Sequence, residues 1–369
     1  MNPMKQLVIC AVAASMASAS ALASESEWAT LDRDVQALSA SLSGLEDSNT
    51  KFSGYIRAAY VSSGDVAVGA NDLGDFDILE ARLKASGTRH GIDYVFQIGA
   101  ESAGSASLLK DAYLNIPIGA NLKVRAGQFK GIICRDSLVS TSKLFFADRS
   151  QIGGLFSTRR EGIALLGEFE GFDWAVTIQD GTDSAGDEYL LALRGEIDLL
   201  GDGIDMVEGA YGAGDVEATA AVSYWDDGAV DNGDGLLFQA TLTSKQYSLN
   251  AYVADISEGL VTSNGSSSTF PGGVMATGLI GDSTPFGIMG TFMIAEPTAS
   301  QGGWEVGLRF QDLDNGDADT SIIDVGLNYY GAGHDYKYFL HWQSINSTVV
   351  GTSASADADI IRLGVNLGF

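Results

Sequence analysis

The chain contains little cysteine, little proline and few basic residues. Among its 369 residues are 2 Cys, 5 Pro and 21 Lys or Arg, against 48 Asp or Glu. Cys10 lies in an apolar amino-terminal stretch that we expect to be removed, so Cys134 is left alone and a disulfide framework is excluded. The net charge of −27 argues against nucleic acid as a partner, because phosphate contacts need clustered Lys and Arg.

Long apolar runs are also missing. After the amino terminus no stretch approaches the roughly 20 apolar residues that a membrane-spanning helix needs, and the mean hydropathy is only +0.09. Lys5 precedes apolar and small residues, and Ala21-Leu22-Ala23 is typical of a cleavage site, so residues 1–23 are predicted to be a signal peptide. If the exported chain spans a membrane, it must do so with β-strands.

A heptad pattern follows the predicted signal peptide. Apolar residues recur at spacings of three and four from Trp28 to Leu45, with polar residues between them. The pattern predicts a short periplasmic coiled coil within residues 24–50, and the alternative is a single amphipathic helix packed on its own barrel. Three heptads are marginal alone and need an attached oligomer to hold them.

From Lys51 onward the apolar period changes to two, which indicates β-strands. The predicted strands are residues 51–62, 76–87, 92–102, 107–117, 121–130, 159–169, 172–180, 188–198, 216–225, 235–244, 246–254, 285–295, 303–312, 320–330, 335–344 and 358–369. Their even number suits a closed antiparallel barrel in one chain. We therefore predict an all-β fold, a sixteen-stranded transmembrane β-barrel over residues 51–369.

Connection lengths and strand faces favour a barrel in the outer membrane of a Gram-negative bacterium. Short turns are expected at 88–91, 117–120, 170–171, 245 and 331–334, with 199–215 as an exception, and the longest outward connections at 131–158, 255–284 and 345–357. The last strand alternates apolar and polar or small residues up to Phe369, and it resembles the closing strand of bacterial outer-membrane proteins. A soluble β-sandwich also alternates, but its polar face should be less persistent over sixteen strands.

Basic residues concentrate in residues 82–160 of this otherwise acidic chain. The predicted lumen face carries Arg57, Arg82, Lys84, Lys123, Arg125, Arg194, Arg309, Lys337 and Arg362. Exclusion of charge from lipid explains an inward position for each of them. It does not explain why Arg82, Lys84, Lys123 and Arg125 cluster on successive early strands, so the cluster predicts contact with anions.

The connection 131–158, which we call the constriction loop, combines basic and apolar residues. It carries Arg135, Lys143 and Arg149 among many Ile, Leu and Phe residues. A freely solvated loop does not need so many apolar side chains, so we expect it to fold against the inner wall and narrow a pore. Cys134 within it is expected to be a packed small residue.

One segment resembles a known family. The run VRAGQFKGIICRDSLVSTSKLFFADRS, Val124 to Ser150, preceded by KDAYLNI, Lys110 to Ile116, is similar to the phosphate-selective porin O/P family at its fifth strand and constriction loop. The resemblance implies a trimeric, sixteen-stranded channel with a basic constriction. By position in the matching segment, Lys123, Arg125, Lys130 and Arg149 become candidates for anion contact.

Two features depart from that family. The later strands supply few lumen cations, and the outward loops are strongly acidic. A general or weakly selective porin is therefore favoured over a phosphate channel. The predicted function is passive diffusion of small hydrophilic solutes or inorganic anions through a barrel in outer-membrane lipid. The predicted constriction residues are Arg82, Lys84, Lys123, Arg125, Lys130, Arg135 and Arg149.

Other chemistry is weakly indicated. Around Gly316, four acidic residues could bind calcium, although solvated loops are the simpler reading: Asp312, Asp314, Asp317 and Asp319. No cofactor is predicted, and the His residues show no partner pattern for nucleophilic catalysis. The alternatives are an envelope-tethering barrel that uses the 28–45 helix and an outer-membrane hydrolase. Deletion of residues 24–48 separates the first from a porin, which should still conduct.

Overall fold

The computed structural model describes residues 50–64, 73–100, 109–181, 188–229, 232–257, 268–269, 275–276, 283–297, 302–313, 318–349 and 355–369. The predicted signal peptide and the predicted coiled coil lie outside the described residues, except for Thr50. Within the described residues, no helix is long and apolar enough to cross a membrane.

Sixteen antiparallel strands form one closed barrel, as the alternation predicts. They are β1 Lys51–Gly64, β2 Leu73–Arg89, β3 Ile92–Ala100, β4 Leu109–Pro117, β5 Leu122–Lys130, β6 Arg159–Phe169, β7 Phe172–Asp180, β8 Tyr189–Leu200, β9 Glu217–Asp227, β10 Asp234–Thr243, β11 Tyr247–Ile256, β12 Phe286–Ala295, β13 Gly303–Asp312, β14 Ala318–Tyr330, β15 Tyr336–Val349 and β16 Ser355–Gly368. Each strand pairs with its sequence neighbours, and β16 pairs with β1, where Tyr55 lies opposite Gly368. A closed ladder leaves no unpaired sheet edge.

The two faces of the barrel differ in polarity, as the last strand shows. In β16, Ile361, Leu363 and Leu367 are about half exposed, whereas Arg362 is 5% and Asn366 is 0% exposed. Because side chains alternate along a strand, the apolar set points outward and the polar set points into the lumen. A soluble barrel has the opposite arrangement, with an apolar interior. An apolar exterior and a polar lumen suit a barrel that is surrounded by lipid.

The constriction loop lies inside the barrel. It contains two short helices, α1 Arg135–Leu138 and α2 Gln151–Leu155, and a 3₁₀ helix at Thr141–Lys143. Its Ile133 and Ile152 belong to an apolar cluster with Trp225 of β9 and Leu237 of β10, and all four are almost fully buried. Burial of these side chains against the inner wall stabilises the loop by about 2 kcal/mol for each.

The connection 201–216 also enters the barrel, from the opposite end. We call it the inner connection, and we call the end at which β1 begins and β16 ends the terminal end. Other described connections at this end, such as 90–91 and 170–171, are tight turns. In the inner connection Glu208 and Ala210 are buried, so part of this segment fills the lumen.

Candidate functional site

A cavity of about 480 Å³ lies in the lumen, between the constriction loop and the inner wall that β1 to β5 and the start of β6 form. Tyr55, Tyr113 and Phe129 contribute rings to its lining, and Ser140 and Ser142 contribute loop hydroxyl groups. The space is large enough for hydrated ions and small solutes. We call it the lumen cavity.

Cations dominate the charged lining of the lumen cavity. Seven of them line it: Arg82, Lys84, Arg125, Lys130, Lys143, Arg149 and Arg159. The carboxylates of the lining are Asp111 and Asp335. The cavity is therefore electropositive, although the whole chain carries a net charge of −27.

Strand register explains how five of these cations meet. Arg82 and Lys84 are two residues apart on β2, so both point into the lumen. Arg125 lies on β5 opposite Asn115, and Lys130 lies directly opposite Arg159 of β6. Like charges that face each other across two strands repel, and the pair gains stability when water or an anion lies between them.

Only some of the lining cations are neutralised by carboxylates. Arg82 forms an ion pair with Glu80, and Arg159 Nε lies 3.0 Å from Asp111 Oδ1. Arg125 Nε donates to Asn115 Oδ1 at 2.9 Å, and its guanidinium lies 4.3 Å from the centre of the Tyr113 ring. These contacts hold the Arg125 guanidinium in place without cancelling its charge.

Two other lining cations are positioned through backbone carbonyl groups of the constriction loop. Arg149 donates to Asp136 O and Val139 O, each at 2.5 Å, and Lys130 donates to Ser137 O. Within the described part of the chain, neither Lys84 nor Lys143 has a carboxylate within ion-pair distance. Because carbonyl groups carry no net charge, these contacts leave a net positive field inside the cavity.

The five other predicted lumen cations point inward but bind the constriction loop. Arg57 donates to Ala147 O at 2.5 Å, Arg194 to Ile133 O at 2.8 Å, Arg309 to Asp148 O at 3.1 Å and Lys337 to Leu144 O at 2.5 Å. Arg362 forms an ion pair of 2.7 Å with the Asp148 carboxylate. We call these five side chains the wall anchors. Four of them donate to loop carbonyl groups and Arg362 pairs with a loop carboxylate, so together they fix the loop in one position.

Neutral groups complete the attachment of the loop on the same side. The Ala147 N–H donates to His341 Nδ1 at 2.8 Å, and Asn328 donates to Phe145 O at 2.9 Å. Asp136 accepts from Asn250 of β11 at 2.9 Å. The loop therefore lies against β8 to β16 and the middle of β1, where Arg57 and Ala59 contact it. The open space remains beside the start of β1 and beside β2 to β6.

Two residues of the predicted constriction lie outside the lining of the lumen cavity. Lys123, near the terminal end of β5, is partly exposed and forms an ion pair with Glu168. Arg135 is 3% exposed and donates to carbonyl groups of the inner connection. The alternation places Lys123 on the correct face, but it says nothing about depth along the barrel axis.

Sequence reasoning also missed two residues of the lining. The sequence assigns Lys143 to the loop but gives it no position, because the loop has no regular period. Arg159 begins β6, and the signal that could have found it is its position opposite Lys130 in the antiparallel register. Arg159 extends the positive lining to β6, and Lys143 adds a cation of the constriction loop to it.

Comparisons with known proteins identify the fold. No protein-family profile matches the chain, and no curated protein matches it. Among solved structures, a porin variant from Rhodopseudomonas blastica has a TM-score of 0.52 and 15% identity, covering 87% of this chain and 100% of that one. An anion-selective porin from Comamonas acidovorans has a TM-score of 0.56 and 11% identity, covering 87% and 99%. The chain has the fold of the bacterial porins.

A further structure with the porin fold is an outer-membrane protein of Vibrio cholerae, OmpT with its loop L8 deleted. It has a TM-score of 0.55 and 11% identity, and the match covers 87% of this chain and 99% of that one. Two of these three structures are described as porins and none as an enzyme. The specific resemblance to the porin O/P family stays a prediction.

A metal site and a reactive thiol each place requirements on the described residues. Among the described residues, no group of three His, Cys, Asp or Glu side chains could hold a metal ion. Asp314 and Asp317 of the predicted calcium site lie outside the described residues, so that prediction stays open. Cys134 is fully buried, and burial raises the pKa of its thiol to about 12, which disfavours the reactive thiolate.

Proposed function

We propose that this protein is a channel in the outer membrane of a Gram-negative bacterium through which small hydrophilic solutes diffuse passively, with a preference for small anions. The observation that carries the proposal is the lumen cavity, which seven cations and two carboxylates line inside a barrel with an apolar exterior. Polar groups in a water-filled lumen decide which solutes pass. The channel needs no cofactor, and we propose that three copies form a trimer.

The distance from a permeating ion determines whether the positive cavity or the negative exterior controls the ion preference. Two unit charges 4 Å apart interact by about 1 kcal/mol in water and about 4 kcal/mol at an effective dielectric constant near 20. An anion in the cavity lies within a few ångströms of several cations, whereas acidic groups beyond about 10 Å are largely screened at 0.1 M salt. The cavity therefore controls the ion preference under physiological conditions.

A general anion preference has better support than selectivity for phosphate. One solved structure with the same fold is described as an anion-selective porin. The wall anchors bind the constriction loop and are thereby unavailable to a passing anion, so the later strands add no continuous path of cations. The proposed solutes are accordingly small hydrophilic molecules and inorganic anions as a class, bound weakly at the constriction.

Reversal of one cavity charge tests the proposal. In planar bilayers under a KCl gradient, the wild-type channel should show stepwise conductance and a reversal potential that indicates anion preference. Arg125→Glu should shift the anion-to-cation permeability ratio toward cations by at least about threefold, because it changes the charge by two units beside the permeation path. The measurement is the reversal potential, compared between wild-type and variant proteins that are equally well folded.

Lys123→Glu is the matched control, since it makes the same charge change on the same strand but outside the cavity lining. Equal shifts for the two variants would show that the cavity does not select ions. Absence of any conductance from the wild-type protein would remove the channel itself and favour the envelope-tethering alternative.

A further inference from the structure

The inner connection differs from every other described connection at the terminal end. Met206 lines the lumen cavity, while Glu208, Gly209 and Ala210 are buried. A solvated turn would leave these residues outside the barrel. The chain therefore uses extra length here to place backbone and side chains in the lumen.

Glu208 binds the constriction loop with its backbone and its side chain. Its N–H donates to Lys143 O at 3.1 Å, and its Oε2 accepts from the Phe145 N–H at 3.0 Å. Both partners flank Leu144, a fully buried loop residue. The two bonds close the end of the 3₁₀ helix and set the position of Lys143, one of the cavity cations.

Arg135 makes the second connection between the two segments. Its guanidinium donates to Ile204 O at 3.3 Å, to Val207 O at 3.4 Å and to Asp205 O. Five donors in a planar fork suit such a set of converging carbonyl groups. Arg135 is thus a loop residue whose charge neutralises the carbonyl dipoles of the inner connection.

The inner connection is fixed to the barrel wall behind these contacts. The Ala210 N–H donates to Glu305 Oε1 of β13 at 2.6 Å, and the Tyr211 ring stacks on Tyr330 of β14 with centroids 4.2 Å apart. Gly209 has a φ of +94°, and a Cβ there would lie 2.7 Å from Glu305 Oε1. Only glycine fits this close approach to Glu305. The position of Glu305 in the wall therefore fixes the position of Glu208, the residue before Gly209.

We propose that the inner connection, residues 201–216, positions the constriction loop from the terminal end of the barrel, with Glu208 and Arg135 as its positioning residues. The proposal rests on the proposed channel function, because the loop sets the width of that channel. The wall anchors hold the loop against the barrel wall, and the inner connection holds it on the side that faces the terminal end. Loss of the inner contacts should loosen the loop between Cys134 and Phe145.

Protonation of Glu208 should modulate this attachment. Facing Glu208 are Asp136, Arg135 and Arg149 of the constriction loop, Arg309 of β13 and Lys337 of β15. Burial, with Asp136 as the second cause, raises the pKa of Glu208 to about 7. A raised carboxyl pKa means that the folded state prefers the proton, so the attachment is complete at low pH and weakens as pH rises through about 7.

Thiol labelling tests the proposal without relying on conduction. In the folded barrel of a Cys10→Ser chain, Cys134 is the only thiol, and it is fully buried. Glu208→Ala and Arg135→Ala should increase the rate at which a water-soluble maleimide labels Cys134 by at least about tenfold, because each removes buried hydrogen bonds that keep the loop closed. Asp202→Ala, an exposed change in the same connection, should label at the wild-type rate.

Glu208→Gln keeps an acceptor for the Phe145 N–H and removes the ionisation. It should label like the wild type at pH 6 and more slowly than the wild type at pH 8.5, where only the wild type carries a buried carboxylate. Comparison at the same pH cancels the thiolate fraction. This variant keeps the test decisive if Glu208→Ala does not fold.

Channel recordings then separate the two proposals. Faster labelling together with larger or fluctuating single-channel conductance in Glu208→Ala would support positioning of a pore loop. Wild-type labelling rates in both alanine variants, or identical pH profiles for wild type and Glu208→Gln, would overturn the inference even in a conducting channel. A protein that shows the labelling differences but never conducts would retain the positioning role and lose the channel function.

Discussion

At the scale of single residues, the inward cations divide into two groups that look alike in the sequence. Period two identifies the lumen face for Arg57, Arg125 and Arg309 equally. The structure places Arg125 at open space and the other two against loop carbonyls. That difference depends on how an irregular loop folds across the lumen, and no periodic pattern encodes it.

Arg309 illustrates the energetic consequence. Its Nε lies 2.8 Å from Asp324 Oδ2, and both side chains are 5% exposed or less. Arg309→Ala leaves a buried carboxylate without its cation and should reduce the free energy of unfolding by about 3 kcal/mol. Urea titration of the barrel in vesicles, followed by tryptophan fluorescence, measures the change.

The control for this prediction is Lys84→Ala. Lys84 lines the lumen cavity, so its loss should change the free energy of unfolding by less than about 0.5 kcal/mol. Similar midpoints for the two variants would mean that water reaches Asp324 and compensates for the missing guanidinium.

At the scale of elements, the strands were predictable and the segments that fill the lumen were not. All sixteen predicted strands occur, although several run further than the apolar pattern, as in β2 at Leu73–Arg89 against 76–87. Backbone hydrogen bonds between strands continue beyond the part of each strand that carries outward apolar side chains. The apolar alternation in the sequence therefore ends before the strand does. The sequence marked 199–215 as too long for a turn, but its inward path depends on partners such as Glu305 and Arg135.

Two glycines on neighbouring strands form a seat for the constriction loop. Gly307 of β13 lies opposite Gly326 of β14, and both face the lumen. A Cβ at Gly307 would lie 2.5 Å from Phe145 Cε1, and one at Gly326 would lie 2.8 Å from the same atom. The missing side chains leave room for the Phe145 ring to approach the wall closely.

Gly307→Val should therefore push Phe145 and its loop away from β13, toward the lumen cavity, and reduce single-channel conductance by about twofold, since tightly packed groups shift when volume is added. Gly290→Val on β12 is the matched control, because a Cβ there has its nearest neighbours at 3.9 Å. Unchanged conductance in Gly307→Val would show that the loop repacks without moving into the pore.

At the scale of the whole molecule, a positive cavity lies inside a chain of net charge −27. Exposed carboxylates lie near the ends of strands opposite the terminal end: Asp226, Asp234, Asp255, Asp357 and Asp359. These groups act over distance on approaching ions, whereas the cavity cations act on ions already inside. The two fields oppose each other, and salt screens the distant one first.

This separation predicts a maximum in anion preference as salt concentration rises. The Debye length falls from about 30 Å at 0.01 M to about 10 Å at 0.1 M and about 3 Å at 1 M. At 0.01 M the acidic rim repels anions before they enter, near 0.1 M only the cavity acts, and at 1 M the cavity field is screened as well. Reversal potentials at a constant concentration ratio around these three salt levels measure the preference, and a steady decline from 0.01 M would exclude a role for the rim.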